Sequence, residues 1–220
     1  MTVKEKLTVY HGSSETVDKP DLEHSRVDID FGVGFYLTED EKMAKKWASS
    51  KNNSVVNKYE LSLSGLKVYE FSLDKEWLDY VKSNRMMSEK GKFKDYDVLI
   101  GATADDKLFD TLREYLDETM NAEEAIETLN VLGYSQQIVI KSEKALENIQ
   151  FISSKELHSL EKQSYRNLIV SDRKIASAKT LELKKKFAYI REKALQRYKE
   201  EMSKQVISED DKEKNNIVKI

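Results

Sequence analysis

Short apolar segments of strand length recur through the first two thirds of the chain. Each contains β-branched or aromatic residues and is bounded by polar residues or glycine, which is typical of β-strands. The pattern therefore predicts a strand-rich first part. The segments are "LTVYH" at 7–11, "GFYL" at 34–37, "VVNKYELSL" at 55–63, "GLKVYEFSL" at 65–73, "YDVLIGA" at 96–102 and "QQIVIKS" at 136–142.

Helical patterns lie between these segments. "TEDEKMAKKWASS" at 38–50 opens with Thr38 as a candidate N-cap, has acids in its first turn, and places Met43, Ala44 and Trp47 on one face. Apolar residues at helical spacing also predict helices in two later segments. These are "ADDKLFDTLREYLDETM" at 104–120, with Leu108, Leu112, Tyr115 and Leu116 on one face, and "NAEEAIETLNVLG" at 121–133.

The last third of the chain has a different composition. From about Lys155 to Ser203 the pattern is helical, and one stripe contains Leu183, Phe187, Ile190, Ala194 and Tyr198. The segment 181–204 has eight Lys or Arg against four Glu, so this helix is locally basic. We therefore predict an α+β domain over 1–152, a charged helical extension over 153–204 and a disordered tail over 205–220.

Composition narrows the class of protein. The 220 residues are 35% charged and 39% hydrophobic, and the net charge of −3 gives no general attraction to nucleic acid or membrane. The absence of cysteine excludes disulfides, thiolate catalysis and cysteine-based zinc sites. The first residues lack a signal-peptide pattern and no apolar run reaches membrane-spanning length, so we expect a cytoplasmic protein.

Three short motifs end or begin predicted strands: "YHGS" at 10–13, "DFGVGFYLT" at 30–38 and "YSQQIVIKS" at 134–142. Taken singly, each motif is weak evidence for a function. A histidine at a strand end is more often structural than functional, and "FGVG" lacks the third glycine of a dinucleotide-binding turn.

Taken together, the order and spacing of these motifs resemble the His-Tyr-Glu class of ADP-ribosyltransferases, which includes the poly-ADP-ribose polymerases. The sequence looks most like a bacterial branch catalogued as domain of unknown function 3990, and "DYDVLIGATADDKLF" at 95–109 adds to that likeness. The resemblance covers about residues 7–152. It implies an ADP-ribosyltransferase-like split β-sheet core with flanking helices.

The resemblance assigns roles to the first motif. His11 takes the position of the histidine that hydrogen-bonds the adenosine ribose of NAD. Gly12 takes the position whose backbone N–H and C=O meet the nicotinamide carboxamide, an approach that a β-carbon would obstruct. Ser13, which completes the motif, is included among the predicted NAD contacts.

The second motif supplies the predicted nicotinamide pocket. Tyr36 matches the tyrosine that stacks on the nicotinamide ring, and Gly32 and Gly34 let the backbone turn tightly beneath it. Trp47 lies close to a second aromatic position of some relatives, one residue late in a gapless register, so a core role is the alternative. The serine that holds the carboxamide in polymerases falls at about Met43.

The third motif departs from the polymerases, which have a catalytic glutamate where this chain has Gln136 and Gln137. Successive strand residues face opposite sides, so only one amide points into the cleft, and the following residues favour Gln137. A neutral amide can bond a ribose hydroxyl but supplies no full negative charge to the transition state. Loss of this negative charge lowers the rate on the order of a hundred-fold, which favours single transfer over polymer synthesis.

Two further groups have alternative interpretations. Asp105 and Asp106 start a predicted helix, so one interpretation is a structural role as N-cap and first-turn charges. The other is that their carboxylates compensate for the missing glutamate. Asn84 and Arg85 contact the NAD diphosphate or a target, or Arg85 is a solvated surface residue.

The predicted function is an NAD-dependent mono-ADP-ribosyltransferase with catalytic residues His11, Tyr36 and Gln137, NAD as co-substrate and no metal. The resemblance also implies a bacterial toxin or effector, a protein or nucleic-acid acceptor and a small antitoxin-like partner. The alternative is a binding module of the same fold that recognises NAD or ADP-ribose without turnover. In a lesser alternative, the basic helix binds nucleic acid. The amphipathic stripe at 181–202 has two interpretations: it docks a partner protein, or it packs on the domain.

Overall fold

The computed structural model describes residues 5–25, 27–86, 92–104, 108–133 and 135–217, with side chains given for all of them except 108, 109 and 204–217. The chain divides into two units, Met1–Ala176 and Ser177–Ile220. The first unit is mixed α+β with two sheets, and within the described residues the second is helical. Predicted Asp105, Asp106 and Tyr134 lie outside the described residues.

All six strand-like segments of the sequence contain a β-strand in the structure, and the helices predicted at 104–120 and 121–133 are also found. The strands are β1 (Lys6–Ser13), β2 (Phe35–Leu37), β3 (Val55–Ser62), β4 (Val68–Glu70), β5 (Val98–Ala102), β6 (Gln136–Ile140) and β7 (Ile149–Glu156). The helices are α1 (Glu41–Ser49), α2 (Lys75–Arg85), α3 (Leu108–Leu116), α4 (Ala122–Leu129), α5 (Glu143–Leu146) and α6 (Ser159–Ile217).

The strands form two sheets that meet at one pair of residues. The first sheet has the order β1-β3-β7 and is antiparallel, and the second has the order β2-β6-β5-β4, with β4 and β5 parallel. An isolated bridge between Tyr10 of β1 and Thr38 after β2 joins them. The fold therefore has a seam between β1 and β2 where pairing is minimal.

One face of each sheet packs in a shared apolar core. Alternate residues of a strand face the same side, so Leu7 and Val9 of β1 lie with Tyr59 of β3, opposite Phe35 and Ile140 of the second sheet. All of these side chains are buried. The residues between them in sequence face the outer side of the sheets.

Helices α2, α3 and α4 pack in a second core with residues of the outer face of the second sheet, through Trp77, Leu112 and Ala125 among others. The sequence patterns above do not predict α2. It begins at an Asp74 N-cap whose carboxylate accepts hydrogen bonds from the N–H groups of Glu76 at 2.9 Å and Trp77 at 3.2 Å.

Helix α1 packs on the outer face of the first sheet, where Ala44 and Ala48 meet Val56 and Leu157. Its N-cap is Asp40, which accepts a hydrogen bond from the Lys42 N–H at 2.9 Å. The prediction of Thr38 as the cap is therefore wrong. Thr38 instead pairs with β1, and its hydroxyl donates to the Gln136 carbonyl at 2.9 Å.

The C-terminal part differs from the prediction in two places. Strand β7 reaches Glu156, past the predicted boundary at residue 152, because only its first residues alternate between burial and exposure and the rest give no apolar signal. Helix α6 then continues to Ile217, so residues 205–217 of the predicted tail are helical in the structure. Within the part of the chain that the structure describes, no helix has the length and apolar character needed to cross a membrane.

Candidate functional site

Strands β1 and β2 separate immediately after their single bridge. The Tyr10 N–H donates to the Thr38 carbonyl at 2.8 Å, and the Thr38 N–H donates back to the Tyr10 carbonyl at 3.0 Å. In an antiparallel ladder the next pair with this mutual bonding lies two residues along each strand, which here is Gly12 with Tyr36. That pair does not form.

His11 occupies the place of the missing ladder bond. Its Nδ1 lies 2.7 Å from the Tyr36 carbonyl oxygen, and because a carbonyl only accepts, Nδ1 donates the hydrogen. Burial lowers the pKa of His11, so the ring is neutral at neutral pH and its Nε2 is an acceptor. The ring also packs on Phe35, with centroids 4.6 Å apart.

The separation leaves backbone groups open at the seam. The N–H and C=O of Gly12 point to the same edge of β1 as those of Tyr10, and no described residue bonds either of them. The Tyr36 N–H faces the same gap and likewise lacks a bond to any described residue. Because Gly12 is buried and buried backbone groups are nearly always paired, this edge is suited to a ligand that both donates and accepts.

Helix α1 gives Gly12 a second reason to be glycine. A β-carbon at this position would lie 2.2 Å from the Ala44 carbonyl oxygen and 2.7 Å from the Ala48 nitrogen. The Trp47 β-carbon would be 2.9 Å away, so the half-buried Trp47 side chain starts directly beside Gly12. The structure therefore brings Trp47 to the seam.

Tyr36 is held rigidly on the outer face of β2. Its hydroxyl donates to the Gly32 carbonyl at 2.7 Å and accepts from the Phe31 N–H at 3.0 Å. Gly32 has a φ of +66°, a conformation that favours glycine. Burial raises the pKa of Tyr36 well above its usual value, so the phenol stays neutral and the half-buried ring is fixed in place.

Two predicted NAD contacts have their polar groups bonded within the protein. The Ser25 hydroxyl bonds both backbone groups of Gly34, at 2.7 Å to its N–H and 2.9 Å to its C=O. The Ser13 hydroxyl accepts from the Asn57 side-chain amide at 2.9 Å and donates to the Glu15 carbonyl. Gly34 and Ser13 therefore shape the loops around the seam.

The two glutamines face opposite sides of the second sheet. Gln137 is 3% exposed and lies on the same face as Tyr36. Its Nε2 donates to Asp30 Oδ2 and to the Ala102 carbonyl, both at 3.0 Å. Gln136 is exposed and donates to Glu70 Oε1 at 2.9 Å, beside a cleft of about 480 Å³.

Asp30 is the centre of a buried polar network. Its Oδ1 accepts from Arg85 Nε at 2.8 Å and from Arg85 Nη2 at 2.5 Å, and its Oδ2 accepts from the Ala104 N–H at 2.8 Å. The side chains of Arg85 and Asp30 are only 9% and 8% exposed. Arg85 is thus neither a solvated surface residue nor an open phosphate ligand here, since its guanidinium is bound to a buried carboxylate.

Asp30 was missed by the sequence reasoning, although it is the first residue of the quoted "DFGVGFYLT". Its partners lie 55 and 107 residues away in the chain. The Lys141 amine donates hydrogen bonds to the backbone carbonyl oxygens of Phe31 and Val33, in the loop that follows Asp30. This lysine holds the loop against the end of β6, and burial lowers its pKa to about 8.

Comparison with known proteins places the chain in a family. No curated protein sequence matches it significantly. A family model described as "Protein of unknown function (DUF3990)" matches residues 7–151, which run from β1 into β7 and make up most of the first unit. The chain belongs to the DUF3990 family.

Proposed function

We propose that the protein is an NAD-dependent mono-ADP-ribosyltransferase whose nicotinamide site is the seam between β1 and β2. The observation that supports this most is the open backbone edge at Gly12. A primary carboxamide such as that of nicotinamide has one acceptor oxygen and two donor hydrogens. It can therefore accept from the Gly12 N–H and donate to the Gly12 C=O, as a neighbouring strand would.

The side chains around the seam suit the remaining groups of NAD. Tyr36 and Trp47, both half-buried, offer aromatic surface for a planar ring. The His11 Nε2 is an acceptor for a hydroxyl of the adenosine ribose, because the Nδ1 hydrogen is already bonded to Tyr36. The Gln137 Oε1 is a second acceptor for a ribose hydroxyl, since its Nε2 bonds Asp30 and Ala102.

The proposed reaction is a single substitution at the anomeric carbon. The bond from that carbon to the nicotinamide nitrogen breaks, and its electron pair leaves with nicotinamide. A lone pair of the acceptor forms the new bond, and the acceptor loses its proton to solvent. Among the described residues we find no general base at the seam, so the acceptor, a protein or nucleic acid, supplies its own nucleophile.

The experiment that tests this is an assay of nicotinamide release and label transfer with NAD labelled in its adenosine half. His11→Gln removes the seam contact, and His24→Gln is the matched control because His24 is an exposed histidine paired with Asp21. We expect transfer in wild type and in the His24 variant, and its loss in the His11 variant. Absence of both NAD binding and nicotinamide release in folded wild type would contradict the proposal.

A binding module without turnover is a second candidate, favoured by the neutral, buried Gln137. It predicts saturable NAD or ADP-ribose binding, sensitive to His11→Gln, with no nicotinamide released. Growth arrest on expression in bacteria, relieved by the His11 variant, would separate a toxin from such a module and would supply a background for finding an antitoxin-like partner.

A further inference from the structure

The amide orientation of Gln137 is fixed by its partners. Asp30 Oδ2 and the Ala102 carbonyl are both acceptors, so both amide hydrogens of Gln137 are donated to them. No described residue donates to the Gln137 Oε1. The side chain can therefore present only an oxygen acceptor, which is also what one carboxylate oxygen would present.

The network also places a carboxylate, ion-paired with Arg85 through its other oxygen, beside that amide. Asp30 is 6% exposed and bonds Arg85, the Ala104 N–H and Gln137. Hydrogen bonds in series polarise one another, so donation from Nε2 to a carboxylate makes the amide oxygen at the other end more negative. The effect is larger in a buried site because the local dielectric constant is low.

The same arrangement explains why glutamate is absent from position 137. A glutamate there would bring a second carboxylate to within hydrogen-bond distance of Asp30 Oδ2, where Gln137 Nε2 now lies at 3.0 Å. Two buried carboxylates this close cannot both be ionised. An amide at position 137 and a carboxylate at position 30 are thus complementary.

We propose that Asp30 is the positioning residue of the third motif: it fixes Gln137 with Oε1 toward the ribose of NAD, and its Oδ2, the oxygen that does not bond Arg85, polarises the amide so that Oε1 is a stronger acceptor. This inference rests on the proposed function, because it assigns Gln137 to the ribose.

The test removes the two groups singly and together. Asp30→Asn should lower the rate of nicotinamide release in single turnover by about a hundred-fold while NAD binding, measured by calorimetry, is retained. The double variant Asp30→Asn/Gln137→Ala should be no slower than Gln137→Ala alone, because Asp30 acts through Gln137. Asp97→Asn is the matched control, since the Asp97 carboxylate accepts from Lys67 and Ser142 outside the site, and it should leave the rate unchanged.

The outcomes are separable. A folded Asp30→Asn variant with the wild-type rate, or a folded double variant much slower than Gln137→Ala alone, overturns the inference while the proposed function stands. Wild type that neither binds NAD nor releases nicotinamide overturns the proposed function itself. If the variants do not fold, NMR of the Gln137 side-chain amide in wild type decides: its hydrogens should stay protected from exchange with NAD bound, and their exposure overturns the inference.

Discussion

The two faces of the second sheet are built from neighbouring residues but have different chemistry. The inner face, with Ile138 and Ile140, is apolar and closed against the first sheet. The outer face has Tyr36 and Gln137 one residue away in each strand, next to the buried Asp30 network. Because side chains alternate between the two faces, one strand can contribute to stability on one side and to ligand recognition on the other. Substitutions on the two faces should separate these two roles.

The largest expected effect is on the outer face. Arg85→Met leaves the Asp30 carboxylate buried without its guanidinium, which should lower the free energy of unfolding by about 3–5 kcal/mol. Denaturant unfolding followed by circular dichroism measures it. The Lys82→Met variant, one turn earlier on α2 and partly exposed, is the control, and an equal loss in both would mean that the ion pair has no special role.

On the inner face, Ile138→Ala should lower the free energy of unfolding by about 2–5 kcal/mol through lost burial and a cavity. Because Ile138 lies on the face opposite Tyr36 and Gln137, the affinity of the folded protein for NAD should be unchanged. Calorimetric titration well below the unfolding temperature checks this. A large fall in affinity would show that the two faces are not independent.

Tyr36→Phe should have a smaller effect on stability. It removes the hydroxyl that bonds the Gly32 carbonyl and the Phe31 N–H, which should cost about 1–3 kcal/mol. The aromatic ring stays, so binding of nicotinamide, measured by fluorescence quenching or calorimetry, should be largely retained. Tyr36→Ala, which also removes the ring, should abolish binding.

The pH dependence of stability tests the burial of His11. Burial, with a contribution from nearby Lys51, lowers its pKa in the folded protein, so below about pH 6.5 the unfolded chain binds a proton that the folded chain does not. Stability should therefore fall as the pH drops through 6.5 toward the folded pKa. The slope of unfolding free energy against pH should be smaller in His11→Gln. It should not be smaller in His24→Gln, because Asp21 raises the pKa of the exposed His24 and this contribution has the opposite sign.

The sequence predicts most of the strands because their apolar runs are continuous and lie in two buried cores. It fails at β7, where only Ile149 and Phe151 alternate inward and the remaining residues are exposed. At β7, tertiary packing rather than local pattern decides the element. Helix α2 was missed for another reason: its buried Trp77, Leu78, Tyr80 and Val81 recur at helical spacing after the Asp74 N-cap, and this local signal was not used.

The candidate site is only partly readable from the sequence. Motif order brings out His11, Gly12, Tyr36 and Gln137, which the structure places along the seam and on the outer face. Asp30 is not readable, because its role depends on partners that are far away in the chain. The local sequence shows which residue types are present, whereas contacts between distant parts of the chain determine which of them are buried, paired and oriented.

The close approach of α1 to Gly12 has a consequence for genetics. Any side chain at position 12 meets the Ala44 carbonyl and the Ala48 nitrogen before it meets a ligand, so a Gly12 variant perturbs folding and binding together. Such an allele would mimic a null mutation through low abundance in the cell. An allele meant to remove activity while keeping the protein present should therefore be made at His11, where the side chain can be changed without crowding the helix.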